Sequence, residues 1–244
     1  VLPKGQPPTV PTNASGTMTL DSSGLPTQHG TYTADFTCMI PRSAIDGTPV
    51  PARPALYGHG LLGDHGEATS TPQKTLGNNF NIVSCATDEI GLSENDVYNS
   101  IGVLQQLGRF PETADRLQQG LLDEIMLGRL LINSAGFTTD PAFHIDGTLS
   151  TASVLDTSRL YYNGNSQGGI MGGAFMAISP DATRGSLGVP GMNYSVLLNR
   201  SVDFDQYANL AMNPNYSNKL SRPLALSLIQ MLWDRGEANG YAHR

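Results

Sequence analysis

The pattern of apolar and polar positions divides this chain into short strands and longer helices. Short apolar runs bounded by turn-forming residues predict buried strands. These runs fall at 33–40, 52–58, 80–86, 160–162 and 185–190. Strand and helix patterns alternate along the chain, and this order favours an α/β fold with a mainly parallel sheet and helices on both faces.

The clearest helical pattern covers 113–134, where Leu117, Leu121 and Ile125 recur on one face. Gly136 is expected to end this helix. Shorter helices are predicted to close at 76–80 and to span 99–107, 170–178 and 223–237. The last of them is predicted to have one apolar face made of Leu224, Leu228, Met231 and Leu232.

The composition of residues 1–30 differs from that of the rest of the chain. Residues 1–30 are rich in proline, threonine, serine and glycine, and they predict an extended N-terminal arm. Residues 31–244 are enough for one α/β domain with a sizeable core. Turn-rich sequence near 138–158 and mixed sequence near 193–221 predict insertions in this domain.

The net charge of −7 argues against nucleic acid or an anionic membrane surface as a partner. Charged residues make up only 14% of the chain, whereas glycine (27 residues) and proline (16 residues) are abundant. This balance favours a loop-rich, secreted or periplasmic protein. No apolar segment approaches the roughly 20 residues that a membrane-spanning helix needs. The chain begins with Val1 and not with methionine, so we expect a processed N-terminus.

Two cysteines, Cys38 and Cys85, lie in predicted strands. If these strands are neighbours, an oxidising compartment would allow a disulfide between them. Two buried thiols that pack as small apolar groups fit the sequence equally well. The cysteine spacing matches no metal-binding motif, and we expect no metal site.

The main chemical signal is the sequence Gly-Asn-Ser-Gln-Gly-Gly at 164–169, between a predicted strand and a predicted helix. Gly-x-Ser-x-Gly in this context indicates a nucleophile elbow, a strained turn that exposes the serine hydroxyl above the sheet edge. Gly164 and Gly168 are required because side chains there would collide with the neighbouring strand and helix. The start of the helix offers free N–H groups to a developing oxyanion. Ser166 is therefore the candidate nucleophile.

A second glycine-rich loop, His-Gly-Leu-Leu-Gly at 59–63, follows an earlier predicted strand. Together with the elbow, it resembles the α/β-hydrolase superfamily, in particular its secreted bacterial lipase and esterase branch, over about residues 31–190. The resemblance implies a carboxylic ester substrate, an acyl-enzyme intermediate and no cofactor. It also implies that the backbone N–H groups of Gln167 and Leu61 form the oxyanion hole, and that His59 has a structural role.

The family order places an acid and then a histidine after the serine. The only histidine after Ser166 is His243, which stands next to the end of the chain, where residues are poorly held. Its in-chain partner would be Asp203 or Asp205. We expect instead that the hydrolase domain is incomplete and lacks its last strands. A second polypeptide, or a C-terminal fragment released by a cut after Arg244, would then supply those strands, the acid and the histidine.

The other polar candidates are expected to be structural. Asp88 stands at a predicted strand end, where it would order the nearby loops. The remaining histidines are expected to be loop residues rather than ligands: His29, His65 and His144. Two rival functions stay open. An amidase or peptidase on the same fold would use the same serine, and a catalytically silent binding module would keep the elbow without the reaction.

Overall fold

The computed structural model describes residues 17–243, so residues 1–16 of the predicted arm lie outside the described residues, as does Arg244. The strands are β1 (Phe36–Met39), β2 (Arg53–Gly58), β3 (Ile82–Thr87), β4 (Leu160–Asn165) and β5 (Ala182–Gly188). The α-helices are α1 (Thr71–Phe80), α2 (Val97–Gln105), α3 (Phe110–Ile132), α4 (Gln167–Ile178), α5 (Tyr194–Leu198), α6 (Val202–Tyr207), α7 (Asn213–Asn215), α8 (Ser221–Leu228) and α9 (Gln230–Trp233). Within this part of the chain, no helix is both long and apolar enough to cross a membrane.

The strands of the described residues form one sheet in the order β1-β3-β2-β4-β5. Strand β1 runs antiparallel to β3, and the other neighbouring pairs are parallel. The predicted α/β fold with a mainly parallel sheet is therefore confirmed.

The path of the chain creates a switch point in this sheet. From β2 the chain crosses by α1 to β3, and from β3 it returns by α3 to β4 on the other side of β2. Because parallel crossovers are right-handed, α1 lies on one face, while α3 and α4 lie on the other. The carboxyl ends of β2 and β4 consequently border a crevice, which is where ligands bind in sheets of this kind.

Helix α3 supplies much of the core. Its large buried apolar side chains are Phe110, Leu117, Leu121, Leu127 and Leu131. The predicted helix is confirmed, but its expected end at Gly136 is wrong. Asn133 takes an extended conformation and ends the helix three residues earlier.

The prediction that the strand over 185–190 is buried is wrong. Strand β5 forms one edge of the sheet and pairs with β4 alone among the described residues. Its exposed positions are Thr183, Arg184, Gly185 and Ser186. An apolar run bounded by glycine does not distinguish an edge strand from a central one, because the distinction depends on neighbours elsewhere in the chain.

The predicted final helix is broken into α8 and α9, and its predicted apolar face is largely exposed. The exposed residues are Leu224, Leu228 and Met231, whereas the buried ones are Leu226, Ile229 and Trp233. Both sets recur at helical spacing, so the sequence alone does not say which one packs. The contacts of Trp233 determine which set is buried, since its ring packs against the buried rings of Tyr194 and Phe110.

Cys38 and Cys85 form a disulfide, so one of the two alternatives left open by the sequence is settled. The register of β1 and β3 places these two residues directly opposite each other. The bond ties the antiparallel edge strand to the rest of the sheet. Closing a loop with a sequence separation of 47 residues stabilises the folded chain by about 2–4 kcal/mol, mainly by restricting the unfolded state.

Candidate active site

Ser166 occupies a strained turn between β4 and α4. Its backbone angles are φ 57° and ψ −119°, a region that is costly for any residue with a side chain. The turn is held on the strand side, where the Ser166 N–H donates to the Gly188 carbonyl at 3.0 Å. It is held on the helix side by the first turn of α4, which begins at the next residue. Packing therefore fixes the serine in the conformation expected of a nucleophile elbow.

The glycines of the elbow are explained by close backbone contacts, as predicted. A Cβ atom on Gly168 would lie 2.1 Å from the carbonyl oxygen of Gly58, at the end of β2. A Cβ atom on Gly164 would lie 2.2 Å from the carbonyl oxygen of Gly168. The Gly168 N–H also donates to the His59 carbonyl at 2.9 Å. The absence of side chains thus lets α4 start against the end of β2.

The loop at 58–63 lies beside the elbow because β2 and β4 are neighbours, with Gly58 opposite Gly164. The residue with positive φ in this loop is Leu62, at 53°, and not one of its glycines. Gly63 is needed for space instead, since a Cβ there would lie in contact with the Glu67 carboxylate. That carboxylate accepts a hydrogen bond from the Gly60 N–H at 3.0 Å. Nothing in the sequence pattern pointed to Glu67 as the support of this loop.

Two backbone amides beside Ser166 are available. Neither the Leu61 N–H nor the Gln167 N–H donates a hydrogen bond to any of the described residues. Both residues line the same pocket as Ser166. The residues that carry one candidate nucleophile and two free donors therefore lie at one cavity, and paired N–H donors are the groups that stabilise an oxyanion.

The pocket beside Ser166 has a volume of about 120 Å³. Its wall is mainly leucine, isoleucine and aromatic side chains from α2, α3, α4, α5, α6 and α9. The predicted insertion near 193–221 contributes through α5 and α6, where Leu197, Leu198 and Asp203 line the cavity. Asn165 is exposed and lies outside the lining, although it flanks the serine.

The loop after β3 forms hydrogen bonds both with the loop after β2 and with the elbow. The Leu92 carbonyl accepts one hydrogen bond from the Leu62 N–H at 3.1 Å and another from the Gln167 side-chain amide at 3.1 Å. Asp88 accepts from the His65 N–H at 2.9 Å and so has the loop-ordering role expected of it. The loop therefore connects the segment after β2 with the elbow after β4.

A buried ion pair anchors the loop after β3 to helix α3. Asp96 is fully buried and accepts hydrogen bonds from the Gly91 N–H, the Ser93 N–H and the Ser93 hydroxyl. Its other oxygen accepts from the Arg116 guanidinium, with Nε at 2.7 Å. Both oxygens of the Asp96 carboxylate are thus hydrogen-bonded, as a buried charge requires.

His59 is buried below the glycine-rich loop, as expected of a structural residue. Its Nδ1 lies 2.8 Å from the Gly60 carbonyl, and its Nε2 accepts a hydrogen bond from the Glu89 N–H at 2.8 Å. Because both ring nitrogens are occupied, His59 has no free position with which to take a proton from Ser166.

The other histidines of the described residues do not complete a triad with Ser166. His243 is exposed and forms no hydrogen bond with Asp203 or Asp205 in this part of the chain. The remaining three have other hydrogen-bond partners: His29 bonds Thr27, His65 bonds Thr37 of β1, and His144 bonds Thr138 and Thr151.

Two buried carboxyls lie beneath the elbow, and the sequence pattern did not indicate either of them. Glu89 accepts from the Gln167 side chain at 2.9 Å, and Glu124 of α3 is also buried, close enough for the charge of Glu89 to act on it. Burial raises the pKa of Glu89. Burial, and then the charge of Glu89, raise the pKa of Glu124 well above its ordinary value. Burial thus favours the protonated form of each carboxyl.

No family model and no curated protein matches this chain. Among solved structures, an acetyl xylan esterase from a Thermoanaerobacterium species matches 83% of this chain and 60% of its own, with 16% identity and a TM-score of 0.45. An acylaminoacyl peptidase from Pyrococcus horikoshii matches 84% of this chain and 28% of its own, with 12% identity and a TM-score of 0.42. The chain thus spans less than two thirds of the length of either protein.

Replacing Gly168 with alanine should disrupt the elbow. The new methyl group would meet the Gly58 backbone, which cannot move without displacing β2, so we expect a loss of about 3 kcal/mol or more in the free energy of unfolding. Urea denaturation followed by circular dichroism measures it. Gly108→Ala is the matched control because no atom lies within 4 Å of a Cβ at that position. Equal stability of the two variants would contradict the close contact.

The Glu89–Glu124 pair should make stability depend on pH. A carboxyl whose pKa is higher in the folded chain than in the unfolded chain stabilises the fold below about pH 4.3, and this contribution is lost as the pH rises through the folded pKa. Glu124→Gln keeps the shape and stays neutral. We therefore expect its free energy of unfolding to fall less than that of the wild type as the pH rises from about 5 to about 8.

The control for this pH series is Glu94→Gln, which changes an exposed glutamate on the loop surface. Its pH dependence should parallel that of the wild type. If Glu124→Gln also parallels the wild type, the two buried carboxyls do not carry the effect.

Proposed function

We propose that this chain is the nucleophile-bearing part of a serine hydrolase that cleaves carboxylic esters through an acyl-enzyme on Ser166. The observation that carries the proposal is the combination of the strained serine and the two free amides of Leu61 and Gln167 at one pocket. A strained turn is maintained at a functional site when the surrounding packing over-determines it, and this one is held from both sides.

In the proposed reaction, the Ser166 hydroxyl attacks the ester carbonyl and its proton passes to a base. The Leu61 and Gln167 N–H groups donate to the oxyanion of the tetrahedral intermediate, where removal of one such donor typically costs about 2.7–4 kcal/mol. The positive end of α4 adds to this stabilisation. Departure of the alcohol leaves an acyl-serine, and water then releases the acid and restores the hydroxyl.

We further propose that the base and its acid come from a second polypeptide or fragment. Two observations support this part of the proposal. None of the histidines in the described residues is placed to accept the Ser166 proton, since His59 is fully bonded and His243 is exposed. In addition, the outer edge of β5 has no partner strand among the described residues, and an unpaired strand edge readily accepts another strand.

The pocket is mainly apolar. Among the described residues that line it, Asp203 is the charged one, so most of the wall suits an uncharged group of the substrate. An amidase or peptidase would use the same serine and amides, so paired p-nitrophenyl esters and p-nitroanilides of one acid separate the two reactions. The Cys38–Cys85 disulfide supports a location outside the reducing cytosol.

The nucleophile is tested with a fluorophosphonate probe on the native protein. We expect covalent labelling on the peptide that contains Ser166, because an activated serine in an oxyanion hole attacks phosphorus as it attacks a carbonyl. Ser166→Ala should lose the label and on the order of 10⁶-fold in kcat. Ser158→Ala changes an exposed loop serine and should keep both. Absence of labelling, or labelling that survives in Ser166→Ala, would favour the silent binding module.

The second polypeptide is tested by mass spectrometry of the labelled, active material. We expect the native species to be heavier than the 26.0 kDa of this chain and to release a second polypeptide on denaturation. Cross-linking should place that polypeptide beside β5. A single 26.0 kDa species under both conditions that still carries the label would overturn this part of the proposal and leave the nucleophile intact.

A further inference from the structure

The two amides of the candidate oxyanion hole belong to separate segments of the chain. Leu61 lies in the loop after β2, and Gln167 is the first residue of α4. Two donors stabilise one oxyanion only when both point at the position it will occupy. A group bonded to both segments can therefore set one donor against the other. Glu89, in the loop after β3, forms hydrogen bonds with each segment.

The first link runs from Glu89 to the peptide that carries the Leu61 N–H. The Glu89 N–H donates to Nε2 of His59 at 2.8 Å, so the ring proton is on the other nitrogen, Nδ1. Nδ1 in turn donates to the Gly60 carbonyl at 2.8 Å. The peptide between Gly60 and Leu61 is trans and planar, so holding its carbonyl also fixes the direction of the Leu61 N–H.

The second link runs from the Glu89 carboxyl to the Gln167 side chain. Oε2 of Glu89 accepts from the Gln167 amide nitrogen at 2.9 Å, and the Leu92 carbonyl accepts from the same nitrogen at 3.1 Å. Both N–H bonds of this amide are therefore used. Gln167 is only 2% exposed, so these contacts hold its side chain in place, one residue after Ser166.

Glycine at the end of β2 makes room for this carboxyl. A Cβ atom on Gly58 would lie 2.7 Å from Oε1 of Glu89 and 2.7 Å from the Cα of Gly168. The carboxyl therefore packs at the point where β2 meets α4. Because Glu89 is buried, its carboxyl contacts the elbow rather than the solvent.

The surroundings of the carboxyl favour its uncharged form. The salt bridges of the described residues do not include Glu89, and a buried carboxylate without a counter-charge is costly. Burial accordingly raises the pKa of Glu89. An uncharged carboxyl still accepts from Gln167 through its carbonyl oxygen, so the contact does not require a charge.

We propose that the Glu89 carboxyl is a positioning group that holds the Gln167 N–H in register with the Leu61 N–H. The proposal rests on the function proposed above and adds a residue to its machinery. Glu89 does not touch the substrate. It acts through the Gln167 side chain, as a hydrogen-bond acceptor and not as a charge. The donors act where the oxyanion forms, so the carboxyl affects kcat and leaves KM unchanged.

Two substitutions separate the acceptor from the charge, with a p-nitrophenyl ester as the substrate. Glu89→Gln keeps the acceptor oxygen and the uncharged state, and we expect its kcat to stay within about threefold of the wild type. Glu89→Met keeps the length and removes the acceptor, and we expect its kcat to fall about 10-fold to 100-fold with KM unchanged. An equal loss of kcat in both variants, or a change in KM alone, would overturn the proposal.

A double-mutant cycle tests the route through Gln167. Gln167→Met removes the group that Glu89 holds, so Glu89→Met should cause no further loss of kcat in that background. Losses that multiply would mean that Glu89 acts elsewhere, and the proposal would fail.

The double variant also guards against misfolding of Glu89→Met. Replacing both partners of a buried hydrogen bond with apolar groups of similar shape is nearly neutral for stability, so the double variant should fold even where the single variant does not. We expect it to have the lowered kcat and the wild-type KM. A wild-type kcat in the folded double variant would overturn the proposal.

The matched control is Glu94→Met, which changes an exposed glutamate of the same loop and should keep both kcat and KM. Labelling of Ser166 by the fluorophosphonate probe separates this inference from the proposed function. A labelled wild type with the same kcat as Glu89→Met overturns the positioning role alone. Absence of labelling in the wild type overturns the hydrolase and this role with it.

Discussion

The whole site depends on the close backbone contact between the end of β2 and the start of α4. Gly58 and Gly168 meet without side chains between them, and the Gly168 N–H is bonded to the carbonyl that follows Gly58. This contact places the loop after β2 next to Ser166, so that one cavity receives groups from both. A side chain at either glycine would separate the helix from the strand and open the site.

Beneath this contact lies a polar layer, which is unusual so close to the centre of a domain. His59, Glu89 and Gln167 are linked by hydrogen bonds, and Asp96 with Arg116 anchors the loop above them. Such a network is directional, unlike apolar packing, and each member fixes the orientation of the next. The backbone amides of the candidate oxyanion hole are therefore positioned by groups that take no part in the proposed chemistry.

The sequence predicted the parts of this structure that rest on local pattern. The elbow glycines, the parallel sheet and helix α3 follow from spacing alone. What it could not predict depends on partners distant in the chain. The disulfide was decided by the register that sets Cys38 opposite Cys85. The buried face of the last helices was decided by the Trp233 contacts, and the support of the glycine-rich loop by Glu67. The roles of Ser166, Leu61 and Gln167 remain predictions that the geometry favours.

The Leu92 carbonyl has a consequence for how the site can fail. A carbonyl oxygen has two lone pairs, and both are used here, one by the Leu62 N–H and the other by the Gln167 side chain. The two segments that carry the free amides therefore share one of their anchors. A shift of that one oxygen removes a hydrogen bond from both segments at once, so the loop after β3 couples the position of the loop after β2 to that of the elbow.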